Sequence, residues 1–423
     1  MQRPMSSTEK QRAVTLLAGM TALYFFSYFN RVAIPGTIFN EIQTDMGLSA
    51  AAVTALGAIF FYIYGGSQLL VGIWADRYGG LKTLLAGGIF MCAGSLLFPL
   101  VHSTPMLYGS RALAGFGSSF MYLCIIKELD RLFGGANFGP MMGTAYFIGF
   151  SGGLFGTLPY EQLAKTMGWR QSLLALALLC TGVLALVFYL GRHQLAAPHQ
   201  AAGFKPGKLW GLFRNRPYRC VLACTAINYG LYFILQDTIG KKFLEDYAGL
   251  ASATAATVTS VMMIGSMATA VLSGIVSRWC DNRRKGFMVA ATLATLIGCV
   301  LLAAGIRLHG GGWYFTACFV LLALSSGFST IFICSTRELC PSDSVGLAIG
   351  VINSTLYLAI AGFANLVGLL MNQFAGRAVK TATAVIYPAE AYAAIFWGMV
   401  VLAAASFVCS LFTRETYGRH VSP

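Results

Sequence analysis

Apolar residues in this chain neither alternate nor fall into narrow stripes. They run on for about twenty positions at a time, from end to end, with Gly, Lys, Arg and Asp collected in short breaks between the runs. A helix of roughly 20 apolar residues crosses the hydrocarbon of a bilayer. In lipid every backbone group must be satisfied within the segment, so repeated runs of this length predict a helical bundle and not a barrel. Twelve spans are expected, numbered here in order: 13–40, 52–74, 82–101, 106–126, 140–160, 171–191, 218–240, 253–277, 286–306, 313–334, 346–371 and 389–412. The fold class is therefore an all-α polytopic membrane protein.

Composition agrees. The 423 residues are 57% hydrophobic and 10% charged, with a mean hydropathy of +0.68, whereas soluble domains carry about 25% charge. The net charge of +14 does not point to nucleic acid, because the bases are confined to the breaks. Twenty lie on the side of the N-terminus against seven on the other, and an even number of spans returns the C-terminus to the same side. The excess of Lys and Arg marks that side as cytoplasmic, so a multi-pass protein of the cytoplasmic membrane with both termini inside is expected. The opening MQRPMSSTEKQRAVTLLAGM reads as a retained first helix, since its apolar run is long and no cleavage-like stretch follows. Most of the eleven cysteines, Cys92, Cys124, Cys180, Cys299, Cys318 and Cys409 among them, lie inside spans with no CxxC or metal spacing, where they act as small apolar residues.

The spans divide six and six around one long break, and two bundles follow: residues 1–191, a cytoplasmic linker over 192–217, and residues 218–423. Within the break, Lys208–Arg219 mixes Leu209, Trp210, Leu212 and Phe213 with bases, a composition suited to a short helix in the interface beside anionic lipid. The halves echo each other. GIWADRYGGLK (72–82) closes span two as GIVSRWCDNRRK (274–285) closes span eight, and KELDRLF (127–133) follows span four as RELCPSD (337–343) follows span ten. A duplicated six-helix unit with a site between its copies is a transporter architecture.

At these residues the chain resembles the major facilitator superfamily, over its whole length. Gly72, Asp76, Arg77, Gly79 and Lys82 match the loop motif between the second and third helices; LYGSRALAGFGSS, with Leu107, Arg111, Gly115 and Gly117, matches the fourth-helix motif; MGWR (167–170) is a common element before the sixth helix. The resemblance implies two pseudo-symmetric six-helix bundles, and a gating role for Gly72, Asp76, Arg77, Gly79 and Lys82 in holding the cytoplasmic side shut. A charged loop that merely marks that side is the plainer reading. Span five carries Gly149, Gly152, Gly153 and Gly156 but has its proline later, at 159, which leans against drug-type antiport.

Two arginines stand inside spans. Arg31 lies two-thirds along span one and Arg111 near the start of span four, at depths about 6 Å apart by the helical rise. No Asp or Glu sits mid-span in the first six, so the pair reads as uncompensated positive charge to which a substrate anion supplies the counter-charge. The guanidinium fork suits carboxylate or phosphate. The alternative for each is snorkelling to the interface, or for Arg111 a structural role. YFNRVAIPGTIF also resembles the first helix of the superfamily's organic anion:cation symporters, whose anion-binding arginine carries over to Arg31. The acids usual in that branch are replaced by Asn30 and Ser118, so proton coupling by that route is not implied. Asp237, Glu128 and Glu338, all placed near span ends, are the remaining candidate proton carriers, beside the substrate's own carboxyl group.

Further polar residues inside spans are candidate cavity lining: Tyr28 and Asn30 beside Arg31, Tyr64, Gln68, Tyr146, Asn353 and Tyr357, and the i, i+4, i+8 stripe Asn228, Tyr232 and Gln236. Such stripes also serve helix–helix hydrogen bonding. No cofactor, metal site, catalytic constellation or GxxxxGK[ST] phosphate loop is present. The function expected is secondary transport of a small carboxylate-type anion by a monomer, with protons as a coupling ion; the alternative is proton-coupled efflux of drugs or hydrophobic metabolites.

Overall fold

The computed structural model describes residues 7–194, 206–340, 345–419 and 421. Almost all of it is helix; a two-stranded antiparallel ribbon, Val379–Lys380 with Val385–Ile386, lies between spans eleven and twelve. Among the described residues, eleven helical stretches are long and apolar enough to cross a bilayer. Eleven of the twelve expected spans correspond to these. Span five does not form a separate helix, because it falls in the later part of Thr104–Phe155, a helical run of 52 residues that also holds span four. In a straight helix Tyr122 and Tyr146 would stand about 36 Å apart at about 1.5 Å per residue. Yet their hydroxyls bond and their ring centroids lie 5.4 Å apart. The chain doubles back between them, so this run contributes two antiparallel legs.

Buried apolar side chains sort into three cores. The largest crosses both halves on the side away from the termini, reaching from Phe29, Phe39 and Trp169 to Phe233, Phe243 and Phe315. Nearer the termini lie two smaller cores, one around Leu16, Leu84, Phe120 and Val187 with Met263 as its one buried residue from the second half, the other around Tyr218, Met288 and Phe332. The halves thus share most of their common buried apolar surface on the side away from the termini.

The seal is built where spans one and seven are broken. Each interrupts its α-helix with a wide π-type stretch, Ala33–Thr37 and Ile234–Ile239, then resumes as a short helix, Phe39–Asp45 and Gly240–Asp246. The two short helices are tied across the halves. Asn40 donates from Nδ2 to Glu245 Oε2 at 2.8 Å, and its Oδ1 accepts from Lys242 Nζ at 2.8 Å. Lys242 is buried, paired with Asp246 at 3.0 Å, and donates to the Val385 carbonyl of the ribbon at 2.7 Å. Lys241 Nζ reaches the Thr37 carbonyl at 2.8 Å, and the Thr157 and Ser260 hydroxyls meet at 2.7 Å.

Asn40 uses both ends of its carboxamide on the opposite half, so Asn40→Ala removes two cross-half hydrogen bonds to charged groups, each worth about 1.5–3 kcal/mol. A cysteine introduced at buried Gln43 should then react with a membrane-impermeant maleimide from the side opposite the termini at least about tenfold faster than in the Asn40 parent. Equal rates would show that Asn40 does not hold this side shut.

Candidate functional site

Span one leaves the α conformation at a proline. Ile34, which precedes Pro35, is extended (φ −122°, ψ 115°), as the residue before proline prefers, and Pro35 has no N–H to continue the ladder. Carbonyls in and beside such a break need donors from elsewhere, and Arg111 supplies them. Its Nη1 donates to the Asn30 carbonyl at 3.1 Å, Nη2 to that of Ile34 at 2.9 Å and Nε to that of Leu56 at 3.3 Å. The guanidinium also lies 4.5 Å over the Phe60 ring and is buried. Arg111 neither snorkels nor faces Arg31: it holds the break in span one.

The break in span seven lies against that in span one. A Cβ at Gly36 would stand 2.9 Å from the Asp237 carbonyl carbon and oxygen, so only glycine allows this approach. The contact sets Asp237 beside Arg31. Arg31 Nε donates to Asp237 Oδ2 at 3.1 Å, and Nη1 donates to the Tyr357 hydroxyl at 3.2 Å. Relative exposure is 3% for Arg31 and 0% for Asp237. Around the guanidinium stand the rings of Phe233 at 4.0 Å, Tyr28 at 4.4 Å, Tyr357 at 5.6 Å and Phe61 at 5.8 Å. The reading of Arg31 as an uncompensated charge is therefore corrected. Its counter-ion is Asp237, supplied by the other half and set within a helix break, not at a span end.

The other expected site residues divide. Tyr28 and Tyr357 touch Arg31, and Tyr64 packs on Tyr357 with centroids 4.3 Å apart. Tyr146 joins by a relay of rings, through Tyr122 to Tyr24 and Tyr28. Gln236 adjoins Asp237 in the same break, and neither atom of its buried carboxamide has a partner among the described residues. Asn30 turns away, donating to the Phe26 carbonyl at 3.0 Å and to Ser95 Oγ at 3.1 Å. Gln68 donates to the Ser119 carbonyl at 3.4 Å. Asn228 accepts from Thr295, which also meets Ser325, inside the second half. Tyr232 points its hydroxyl at Met263 Sδ, 3.8 Å away. Asn353 is half-buried on span eleven, one turn from Tyr357.

The motif residues lie far from this pair, at the end of span two near the termini. Gly79 closes the helix Ala50–Tyr78 at φ +89°, a conformation glycine adopts without strain. Gly72 is half-buried, Arg77 is exposed over the Tyr78 ring, and Lys82 is exposed. The side chain of Asp76 lies outside the described residues. Nearby, Glu128 accepts from the Leu81 N–H at 2.9 Å, capping span three. Glu338 takes Arg284 in a fork, with contacts from 2.9 to 3.3 Å. Of the three acids expected as proton carriers, Asp237 alone touches Arg31.

The family model of the Major Facilitator Superfamily matches residues 20–243. The chain is 24% identical to the alpha-ketoglutarate permease of Escherichia coli over 451 aligned positions, covering 96% of this chain and 95% of that protein. It is 32% identical to the oxalate:formate antiporter of Oxalobacter formigenes and 24% identical to a probable sulfoacetate transporter of Cupriavidus necator. Those matches span only 22% and 41% of this chain and of those proteins. Among solved structures, a bacterial homolog of the human lysosomal transporter Spinster, inward-facing and unoccupied, superimposes with a TM-score of 0.75 at 14% identity, covering 96% of this chain and 98% of that one. That likeness shows the fold.

Arg111→Ala would strip hydrogen bonds from three buried carbonyls, at about 1–3 kcal/mol each. The apparent melting temperature of the purified protein should drop by several degrees, and Arg111→Lys, which reaches fewer carbonyls, should fall between. An unchanged melting curve for Arg111→Ala would contradict this role.

Proposed function

The chain belongs to the Major Facilitator Superfamily and is a membrane transporter, not an enzyme, and from that premise we propose that it carries a small organic anion by alternating access, with Arg31 as the anion's partner. The observation that carries this reading is the state of Arg31 itself: buried at the junction of the halves, ringed by aromatics, and with Nη2 free of any hydrogen-bond partner among the described residues. A carboxylate seated on Nη2 and Nη1 would complete the guanidinium fork, with the Tyr357 hydroxyl turning to donate to it. Arg31 belongs to the first half, Asp237 and Tyr357 to the second. A ligand there touches both halves and senses their relative movement, as alternating access requires.

The names of the relatives support an anionic cargo, since those above are described by ketoglutarate, oxalate, formate and sulfoacetate. The large shared core and the Asn40 ties on one side, against smaller cores joined across the halves only through Met263 and Met267 on the other, support a state open toward the termini. With the base asymmetry, that side is the cytoplasm, and the protein is a monomer of the cytoplasmic membrane in lipid, built of bundles 1–191 and 218–423 around the linker 192–217. The segment with Gly72, Asp76, Arg77, Gly79 and Lys82 lies where the cytoplasmic gate of such a cycle would close. Proton coupling, the finest part of the reading, belongs at Asp237. Two carboxylates on one arginine repel, and a proton on either relieves that repulsion.

The test is binding by the purified protein of a panel of organic acids against a panel of cationic dyes. Acids should bind, and the double variant Arg31→Ala/Asp237→Ala, in which no charge is left unpaired, should lose at least about 30-fold in affinity, from a desolvated charge contact of about 2–5 kcal/mol. Arg31→Lys should retain part of it. Dye binding that survives in the double variant, with no acid bound by the parent, would overturn the anion reading and favour the alternative, proton-coupled efflux of drugs or hydrophobic metabolites.

A further inference from the structure

The pair at the site leaves one valence open on each partner. Asp237 takes Arg31 Nε through Oδ2, and among the described residues Oδ1 accepts nothing and Nη2 of the arginine donates nothing. Both atoms are buried, with the residues at 3% and 0% exposure. A charged donor and a charged acceptor therefore stand open on the same ion pair, whose joined atoms are 3.1 Å apart. The guanidinium carbon lies 4.0 Å from the centre of the Phe233 ring and 4.4 Å from that of Tyr28, so a ligand meets the arginine through its open N–H group.

With Asp237 ionised, as selectivity through Oδ1 requires, a plain carboxylate matches only half of this. It accepts from Nη2 but sets an acceptor against Oδ1, and two buried acceptors facing each other cost free energy. A carboxylate with a hydroxyl or ammonium on the adjacent carbon matches both: its oxygen takes Nη2 while its donor takes Oδ1. We propose, resting on the anion reading above, that this site selects organic acids with a hydrogen-bond donor at carbon 2, and that Asp237 Oδ1 reads that donor. Asp237 is thereby a specificity residue as well as the counter-ion of Arg31. A site built to pair a buried acceptor rejects the analogue that lacks the donor far more strongly than it rejects a change of one methylene.

The experiment is equilibrium binding to the purified full chain at pH 8, with two matched sets of probes: propionate, lactate and alanine, and succinate, malate and aspartate. In at least one set, the member with a 2-hydroxyl or 2-amino group should bind at least about tenfold tighter than its deoxy partner; the lactate and alanine arms tell hydroxyl from ammonium. Asp237→Asn keeps the shape and turns its single oxygen to Arg31 Nε, which leaves an NH₂ facing the ligand. In that variant the preference should shrink to about threefold or less while the deoxy acids bind as well or better. Acids that bind through Arg31 with no preference in the parent, or a preference that persists undiminished in Asp237→Asn, would overturn this proposal and leave the anion reading standing. Acids that do not bind through Arg31 at all would overturn both.

Discussion

A guanidinium and a carboxylate, both withdrawn from water and each supplied by a different half of the molecule, fix the geometry of the rest. Removing either charge alone leaves the other buried and unpaired, a loss of about 3–5 kcal/mol, so spans one and seven must meet at this depth in the state described. They meet there because both helices are interrupted. The break in span one is held by Arg111, and its Gly36 admits the backbone of Asp237. Two arginines that look alike in the sequence thus act at different levels: one secures backbone, the other presents a charge.

The same contact connects the site to the seal. Beyond each break the chain resumes as a short helix, and these helices carry Asn40, Lys242 and Glu245 into the ties that close the side away from the termini. A shift at Arg31–Asp237 has a short mechanical path to those ties, through Ala33–Thr37 on one side and Ile234–Ile239 on the other. Near the termini the halves share little buried core beyond Met263, so relative motion there disturbs less buried apolar surface. The alternating access proposed for this protein needs such an asymmetry.

The helical, multi-span architecture could be read from the chain, because span length is imposed by the bilayer and survives without knowledge of contacts. Span five blurred because the helical hydrogen-bond pattern continues from span four, while the reversal shows only in the meeting of Tyr122 and Tyr146. Arg31 was legible as a charge in an apolar run. Its partner was not, since Asp237 stands near the end of an apolar run 206 residues away in sequence, and only the break in span seven places it at depth. The signal present was its position directly after the polar stripe Asn228, Tyr232 and Gln236. A π-type turn rotates that stripe and brings the next residue to the arginine. Asn30 and Asn228 misled for the converse reason: polar residues at helical spacing also satisfy one another inside a bundle, as they do here with Ser95 and Thr295.

The dependence of the halves on one ion pair is tested most directly by a double-mutant cycle on the apparent melting temperature of the purified protein, using Arg31→Ala, Asp237→Ala and the combined variant. Each single change strands a buried charge, and the combined change strands none. The combined variant should therefore melt closer to the parent than either single variant does. Losses that simply add would show that Arg31 and Asp237 do not depend on each other, and the pair would not be the junction on which the fold and the site are built.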